Sequence, residues 1–172
     1  MSIDLNALVK TAKEKFGDDV LGSVEFRGQT TLRIRREANV KILTWLKNDP
    51  ALRFEMLTDV SCVDSSRLPA DMLAEYPERF ALVYHLNSLE HGTRLRVKAY
   101  VPEDACSIDS ISTLWHGANW GEREVFDMFG VIFNNHPDLK RILMPDNYEG
   151  HPLRKDYPLK GRGERDNFPK YV

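Results

Sequence analysis

The chain has 172 residues, 42% of them hydrophobic and 29% charged, which is ordinary for a single globular domain with a short extension. Its formal net charge of −2 excludes the strongly basic balance that is typical of nucleic-acid-binding proteins. The longest apolar run, residues 80–86, is far shorter than the roughly 20 residues that cross a bilayer, so we expect no membrane span.

The two cysteines, Cys62 and Cys106, are far apart in the sequence and form no CxxC pair. Because an iron–sulfur cluster is usually held by four thiolates, we predict that this chain binds no cluster by itself. In a cytoplasmic protein, two free thiols are expected rather than a disulfide bond.

The spacing of apolar residues predicts alternating helices and strands in the first third of the chain. A period near 3.6 residues indicates a helix, whereas strict alternation indicates a strand. Asp4 or Ser2 can cap the first helix, and Gly17 ends it. In chain order, the predicted elements are a helix over 3–16, a hairpin over 22–36 that turns at Gly28-Gln29, a helix over 37–48 and a strand over 52–63.

Three arginines, Arg33, Arg35 and Arg36, lie close together at the end of the predicted hairpin. Charged side chains on an edge strand prevent one sheet from pairing with another. We therefore interpret the arginines as the solvated edge of a sheet, with a binding patch as the alternative.

The middle of the chain predicts a long hairpin followed by helices. The elements are a surface loop over 64–78, a hairpin of strands 79–88 and 93–101 that turns at His91-Gly92, helices over 108–116 and 118–129, and an edge strand over 131–133. Consecutive hairpin strands, with helices that do not alternate regularly with them, favour the α+β class. We predict two layers, a mostly antiparallel or mixed sheet covered by helices.

The helix over 118–129 mixes charges and bulky apolar groups on all sides, with Glu122, Arg123, Glu124 and Asp127 in two turns. Glu124 and Asp127 are three residues apart and share a face, while Arg123 and Asp127 are four apart and can pair. Such a helix has no simple wet and dry faces. Some of its charges must therefore meet partners away from bulk water, in this chain or in another.

Regular periodicity stops after Asn134-Asn135, where prolines begin to recur. Proline fixes φ and removes a backbone donor, so this stretch cannot form a regular helix or an inner strand. Its many apolar side chains are unlike a disordered tail, and we expect it to lie along another protein. We therefore predict a globular domain over 1–133 and an extended, proline-rich, partner-binding segment over 134–172. The X-Pro pairs are His136-Pro137, Met144-Pro145, His151-Pro152, Tyr157-Pro158 and Phe168-Pro169.

Several blocks in this region stand at fixed spacing and in a fixed order. They are Glu122-Arg123-Glu124, Asp127-Met128-Phe129-Gly130, the run from His136 to Pro145 and the run from Gly150 to Pro158. Together they resemble the signature of the 30-kilodalton (C) subunit of respiratory complex I, the proton-translocating NADH:quinone oxidoreductase. Over residues 1–110 the resemblance rests only on length and element order.

The resemblance implies an α+β domain with a long C-terminal extension and no catalytic residues, cofactor or metal of its own. FMN, iron–sulfur clusters and quinone are then expected in partner subunits of the complex. The implied partners are the 49-kilodalton-type (D) subunit and the B and I subunits, with no nucleic acid. The implied location is the cytoplasmic side of the bacterial inner membrane, with membrane association through the complex only.

The resemblance also marks the residues expected at the partner interface. They are Glu122, Arg123, Glu124, Asp127, His136, Lys140, Arg141, Pro145, His151, Pro152, Arg154, Lys155 and Tyr157.

Two alternative functions remain open at this point. Related subunits of membrane-bound nickel–iron hydrogenase-type complexes share the Glu-Arg-Glu block, although the match from Leu153 to Tyr157 favours the quinone-reducing enzyme. An independent metal-dependent hydrolase using Glu124, Asp127 and His136 is the other alternative, and it requires His136 to fold back onto the helix.

Overall fold

A computed structural model describes residues 2–163 of the chain. Its helices are α1 (Leu5–Phe16), α2 (Asn39–Asn48), α3 (Ala70–Leu73) and α4 (Ala118–Phe129), with 3₁₀ turns at Gly17–Asp19 and Arg36–Ala38. Its strands are β1 (Val20–Phe26), β2 (Gln29–Arg35), β3 (Met56–Asp64), β4 (Phe80–Ser88), β5 (Thr93–Val101), β6 (Ser107–Asp109) and β7 (Ile132–Asn134).

Five strands form a mixed sheet in the order β1-β2-β5-β4-β3. All neighbours are antiparallel except β2 and β5, which run parallel with Leu32 opposite Val97. The long hairpin of β4 and β5 forms the centre, and its alternate residues from Phe80 to Leu86 and from Leu95 to Val101 are buried. The mixed sheet and the α+β class are therefore confirmed.

Helices α1 and α2 cover one face of this sheet. The helix α1 begins at Asp4, whose carboxylate accepts the N–H groups of Asn6 and Ala7, and buries Leu8, Ala12 and Phe16. The ring centroid of Phe16 lies 5.4 Å from that of Trp45 on α2 in an edge-to-face contact. Ile42, Leu43 and Leu46 of α2 are fully buried in the same core. Helix α4 packs on the edge strand β3, where a Cβ at Gly121 would lie 3.0 Å from Val60 Cβ.

Two of the predicted boundaries are shifted. The first hairpin turns at Arg27 and Gly28, which have φ values of 53° and 72°, rather than at Gly28 and Gln29. A two-residue hairpin turn matches the twist of its strands when both central residues have positive φ. The strand predicted over 52–63 begins only at Met56, because residue Phe54 donates its N–H to Leu46 O and closes the end of α2.

The helix predicted over 108–116 is wrong. Residues Ser107–Asp109 form β6, which pairs in parallel with β7 in a second, two-stranded sheet. Beyond it, the N–H of Ser112 bonds to the hydroxyl of Ser110 at 3.1 Å, and this local bond competes with helical hydrogen bonds. The apolar spacing that predicted a helix belongs to irregular chain crossing the core. The predicted short strand over 131–133 is present as β7.

The sheet-edge interpretation of the arginine cluster is also wrong. Strand β2 is internal, between β1 and β5, so Arg33 and Arg35 do not lie on an edge. Arg36 stands beyond the strand, in the 3₁₀ turn, and pairs with Glu37 at 2.8 Å.

Between residues 135 and 163, the chain contains neither helix nor strand, as the prolines predict. The pair Phe168-Pro169 lies outside the described residues, and the division at residue 133 stays a prediction. In the part of the chain that the structure describes, we find no helix long and apolar enough to cross a membrane.

The packing of the core predicts the effect of shortening one buried side chain in α2. Ile42→Ala removes a fully buried side chain beneath the sheet, so we expect the free energy of unfolding to fall by about 2–5 kcal/mol. Urea titration followed by circular dichroism measures this change. Lys10→Ala, on the exposed face of α1, is the matched control and should change stability by less than about 0.5 kcal/mol. Equal effects of the two substitutions would contradict the proposed packing.

Candidate partner-binding site

Helix α4 carries two carboxylates that are fully buried, Glu122 and Asp127, beside a more exposed one, Glu124. A buried carboxylate is stable only when charge and hydrogen bonds compensate its lost hydration. The partners that the helix lacks come largely from the chain that follows it. The site is therefore built by folding residues 135–163 back onto α4.

Asp127 organises the first part of that segment. Its Oδ1 accepts a hydrogen bond from Arg141 Nη1 at 2.6 Å. Its Oδ2 accepts the backbone N–H groups of three consecutive residues, Ile142, Leu143 and Met144, at 3.0, 2.8 and 2.9 Å. Burial alone would raise the pKa of Asp127, but these backbone N–H groups and the arginine hold it below its usual value.

The predicted pair between Arg123 and Asp127 is wrong. Arg123 instead donates from Nε to Lys140 O and from Nη2 to Arg141 O, both at 3.0 Å. Its guanidinium also lies 5.0 Å from the ring centroid of Trp120. The local pair of Arg123 with Asp127 does not form, because Arg141 reaches the buried carboxylate together with three N–H donors. A single arginine on the helix cannot supply those donors.

The C-terminal end of α4 is closed by the second part of the segment. Leu153 N–H donates to Met128 O at 3.1 Å, and Arg154 Nε donates to Phe129 O at 2.5 Å. The Nδ1 atom of His151 lies 2.9 Å from Asp127 O. These contacts satisfy carbonyl groups that the last helical turn leaves without intrahelical partners.

Gly130 makes this closure possible. Its φ of +75° suits the left-handed residue that ends a helix, and a Cβ there would lie 2.5 Å from His151 Nε2 and 2.8 Å from Arg154 Nη2. Burial lowers the pKa of His151, which favours the neutral form of its imidazole.

Another buried carboxylate, Asp64 at the end of β3, holds the segment from another side. Arg79 binds it with two nitrogens, Nε to Oδ1 at 3.2 Å and Nη2 to Oδ2 at 2.9 Å. The N–H of Lys155 donates to Oδ2 at 2.9 Å, and Asp156 meets Arg79 Nη2 at 2.8 Å. Burial raises the pKa of Asp64, but Arg79 and the backbone N–H groups of Lys155 and Ser66 outweigh it and hold that pKa well below its usual range.

The sequence interpretation missed Asp64 and Arg79. Asp64 and Lys155 are separated by 91 residues, so no local pattern connects them. Locally, Asp64 accepts a hydrogen bond from the N–H of Ser66 at 3.0 Å, but contacts of this kind are common in turns and do not mark a site.

Glu122 forms a third, separate cluster. Its two oxygens accept the Ser110 hydroxyl at 2.6 Å and the Ile111 N–H at 2.7 Å. His136 folds back onto the helix, with its Nε2 at 3.3 Å from Asn119 O and 3.8 Å from Glu122 Oε2. Burial raises the pKa of Glu122 to about 7, against the lowering effect of the Ser110 and Ile111 hydrogen bonds.

The structure therefore separates the residues of the alternative function, a metal-dependent hydrolase. Glu124 lies outside the buried cluster, Asp127 is bound to Arg141, and His136 contacts Glu122. Within residues 2–163, no group of three or more histidine, cysteine, aspartate or glutamate side chains could hold a metal ion.

The remaining predicted interface residues divide between inner and outer positions. Tyr157 contacts Tyr148 through their hydroxyl groups, and Pro145 and Pro152 are half-buried. Lys140 is exposed and pairs with Asp138 at 2.8 Å. Lys155 uses its backbone N–H at Asp64, and the residue is otherwise exposed.

Part of the segment's apolar surface is covered by its own domain. Leu139 and Met144 pack against the core, and Tyr148 is buried. Leu143 and Leu153 remain 60% and 49% exposed, and Trp120 of α4 is also exposed. The expectation that this surface is hidden only against another protein is thus corrected, and the outer leucines define the candidate interface.

The fold and the site define a class of two-layer α+β protein in which buried aspartates fasten a proline-rich C-terminal segment. The chain belongs to the family described as the 30 Kd subunit of the respiratory-chain NADH dehydrogenase, whose family model matches residues 32–163. The chain is 50% identical to the C subunit of NADH-quinone oxidoreductase from Geobacter metallireducens, over 93% of each chain. It is 40% identical to the protein of the same name from Bordetella pertussis, over 99% of this chain and 85% of the relative.

Two solved structures share the fold. The trypsin-resistant fragment of Nqo5 is 32% identical with a TM-score of 0.66, covering 80% of this chain and all of the fragment. A chain of an archaeal membrane-bound sulfane sulfur reductase, a respiratory membrane complex, has a TM-score of 0.71 over 99% of this chain and 96% of that chain. Its identity is 22%, so it shows likeness of fold alone.

The Asp127 contacts predict a local release of the segment. Asp127→Asn removes the charge that Arg141 and the three N–H groups share, so we expect the amides of Ile142, Leu143 and Met144 to exchange about 10- to 100-fold faster with deuterium. Hydrogen exchange of the full chain measures this. Glu124→Gln, which removes a charge from the same helix outside the cluster, should leave these rates unchanged; similar acceleration in both variants would contradict the anchoring role.

The raised pKa of Glu122 predicts a pH-dependent stability. Because the folded pKa of about 7 exceeds the ordinary value of 4.5, the folded state binds more protons between these values, and stability falls as pH rises from 4.5 to 7. Glu122→Gln, which mimics the protonated acid, should flatten this decline and raise the free energy of unfolding at pH 8 by roughly 2–3 kcal/mol. Urea titrations from pH 4.5 to 8 test this, with Glu124→Gln as control. A parallel decline in wild type and Glu122→Gln would refute it.

Proposed function

We propose that this chain is a cofactor-free structural and assembly subunit in the peripheral arm of a proton-translocating NADH:quinone oxidoreductase. It supports electron transfer from NADH to quinone without carrying electrons. The observation behind this proposal is a segment whose backbone is fixed by two buried aspartates, while leucines on its outer side stay exposed.

This arrangement lowers the entropy lost on binding a partner. A flexible tail must order its backbone when it docks, and that ordering opposes binding. Here, Asp127 and Asp64 order residues 141–155 inside the free chain. Exposed Leu143 and Leu153 then bury apolar area against the partner at about 25 cal/mol per Å².

In this proposal, other subunits of the complex hold the redox groups. The sequence offers two cysteines, Cys62 and Cys106, where a cluster usually takes four thiolates. FMN, the iron–sulfur clusters and quinone are then held by partners, and the proposed contacts are the 49-kilodalton-type (D) subunit first and the B and I subunits nearby. The proposed location is the cytoplasmic side of the bacterial inner membrane, through the complex only.

The named relatives support the quinone-reducing complex over a hydrogenase-type complex. The relatives from Geobacter metallireducens and Bordetella pertussis are both named as the C subunit of NADH-quinone oxidoreductase. The likeness to the sulfane sulfur reductase concerns the fold and does not discriminate between the two complexes.

The test must keep the segment in place, because truncation would leave Asp127 buried without Arg141 and its N–H donors. Leu143→Glu combined with Leu153→Glu changes only exposed side chains. We expect this variant to fold with unchanged stability, and to be lost from the complex when an affinity-tagged chain is purified from membranes, because charges replace the apolar contact. Co-eluting proteins are identified by mass spectrometry.

Met72→Glu is the matched control, since Met72 is 49% exposed in α3. This variant should remain in the complex. If the double variant still co-purifies with its partners in wild-type amounts, the outer face of the segment is not the interface. If the wild-type chain, separated from its partners, retains flavin, iron or another cofactor at one per chain, the cofactor-free role fails.

A further inference from the structure

The sheet face opposite the helices carries a row of basic side chains. Strands alternate their side chains between two faces, so residues between the buried positions of β2 and β5 point outward. These outward positions hold Arg33, Arg94, Arg96 and Lys98. The parallel register sets Arg33 beside Lys98 and Thr31 beside Arg96, so the charges of two strands lie side by side.

Within residues 2–163, none of these four cations has a carboxylate ion pair. Arg96 donates to neutral oxygens, Thr31 Oγ1 at 3.4 Å and Gln29 Oε1. Lys98 donates to the Tyr76 hydroxyl at 2.8 Å. Like charges on adjacent strands repel one another, so this row gains no ion-pair stability from its own domain.

One end of the row is covered, and the other is open. Tyr76, from the loop between β3 and β4, covers Lys98 and packs edge-to-face on Tyr100 at 6.1 Å. At the other end lies a groove of about 1080 Å³, lined by three arginines, by polar side chains of neighbouring strands and by the apolar side chains of Ile3, Leu5, Leu86 and Leu95. The charged and polar residues that define this basic groove are Arg27, Arg94, Arg96, Gln29, Asn87 and His85, with Asp59 as its one carboxylate among the described residues.

We propose that the basic groove binds an acidic segment of another protein chain. Each guanidinium offers a planar fork of donors that fits a carboxylate with two hydrogen bonds. Gln29 and Asn87 each use one polar atom within the domain, with Arg96 and Thr58, and their second amide atoms provide a donor and an acceptor that match a peptide backbone.

The chemistry of the groove favours a protein partner over nucleic acid or lipid. No phenylalanine, tyrosine or tryptophan of the described chain lines it, whereas single-stranded nucleic acid is held by aromatic stacking. A lipid surface is flat, whereas the groove is concave and its arginines lie along its walls.

This surface is distinct from the outer face of the C-terminal segment. The segment is fastened where β3 ends and β4 begins, at Asp64 and Arg79. The groove lies where β4 ends and β5 begins. Each of these two strands has nine residues, which separates the two sites by roughly 27 Å.

The experiment measures binding of a fluorescent peptide of alternating glutamate and alanine to the full chain by anisotropy. We expect saturable binding that weakens with added salt, and no binding of the matching glutamine–alanine peptide. Arg94→Glu combined with Arg96→Glu should weaken the affinity about 100-fold, because two charge-assisted contacts are reversed. Lys10→Glu combined with Lys13→Glu makes the same charge change on exposed positions of α1 and should bind like wild type.

Three outcomes would overturn the proposal. The first is no binding of the glutamate peptide to a folded wild-type chain, and the second is equal weakening by the two double variants. The third is binding of vesicles with anionic lipid, or of a single-stranded oligonucleotide, more tightly than the peptide and dependent on Arg94 and Arg96. These results leave the assembly role of Leu143 and Leu153 untouched, because the peptide assay needs no other protein of the complex.

Discussion

The architecture of the C-terminal region depends on one carboxylate that cannot be buried alone. Asp127 lies inside the protein, and its charge is compensated by Arg141 and by three consecutive N–H groups, residues 142–144. Those donors reach the carboxylate of Asp127 only when the segment folds back past Gly130. The helix, the turn and the segment are therefore one cooperative unit, since breaking any part leaves a buried charge without its partners.

Asp64 repeats this arrangement from the sheet, so the segment is fastened between a helix and a strand end. Polar groups of the segment point inward to the two aspartates, which leaves apolar side chains such as Leu143 facing outward. A backbone ordered in this way presents its outer surface with little remaining freedom. That is the property that the proposed assembly role requires, and the family membership of the chain is consistent with it.

Sequence reasoning succeeded where the information was local and failed where it was not. Alternation over 79–88 and 93–101 predicted the central hairpin, because both strands bury one face along their whole length. The helix predicted over 108–116 failed because residues that cross a core irregularly can also place apolar groups at three-residue intervals. The fixed-spacing blocks identified the family, but not which of the residues predicted for the interface face inward. His136 and Arg141 proved to be internal partners of α4, whereas Lys140 is exposed.

The sequence by itself determined the α+β class, the helix that ends at Gly130, the proline-stiffened segment and the absence of a four-cysteine cluster set, because each depends on composition or on neighbouring residues. Only the tertiary structure decided that Asp127 pairs with Arg141 rather than Arg123, and that Asp64 holds Lys155 from 91 residues away. It also placed β2 inside the sheet, so that Arg33 lies beside Lys98 of β5 on the face opposite the helices. Such contacts are selected by the cost of burying charge and by strand order, which no local pattern records.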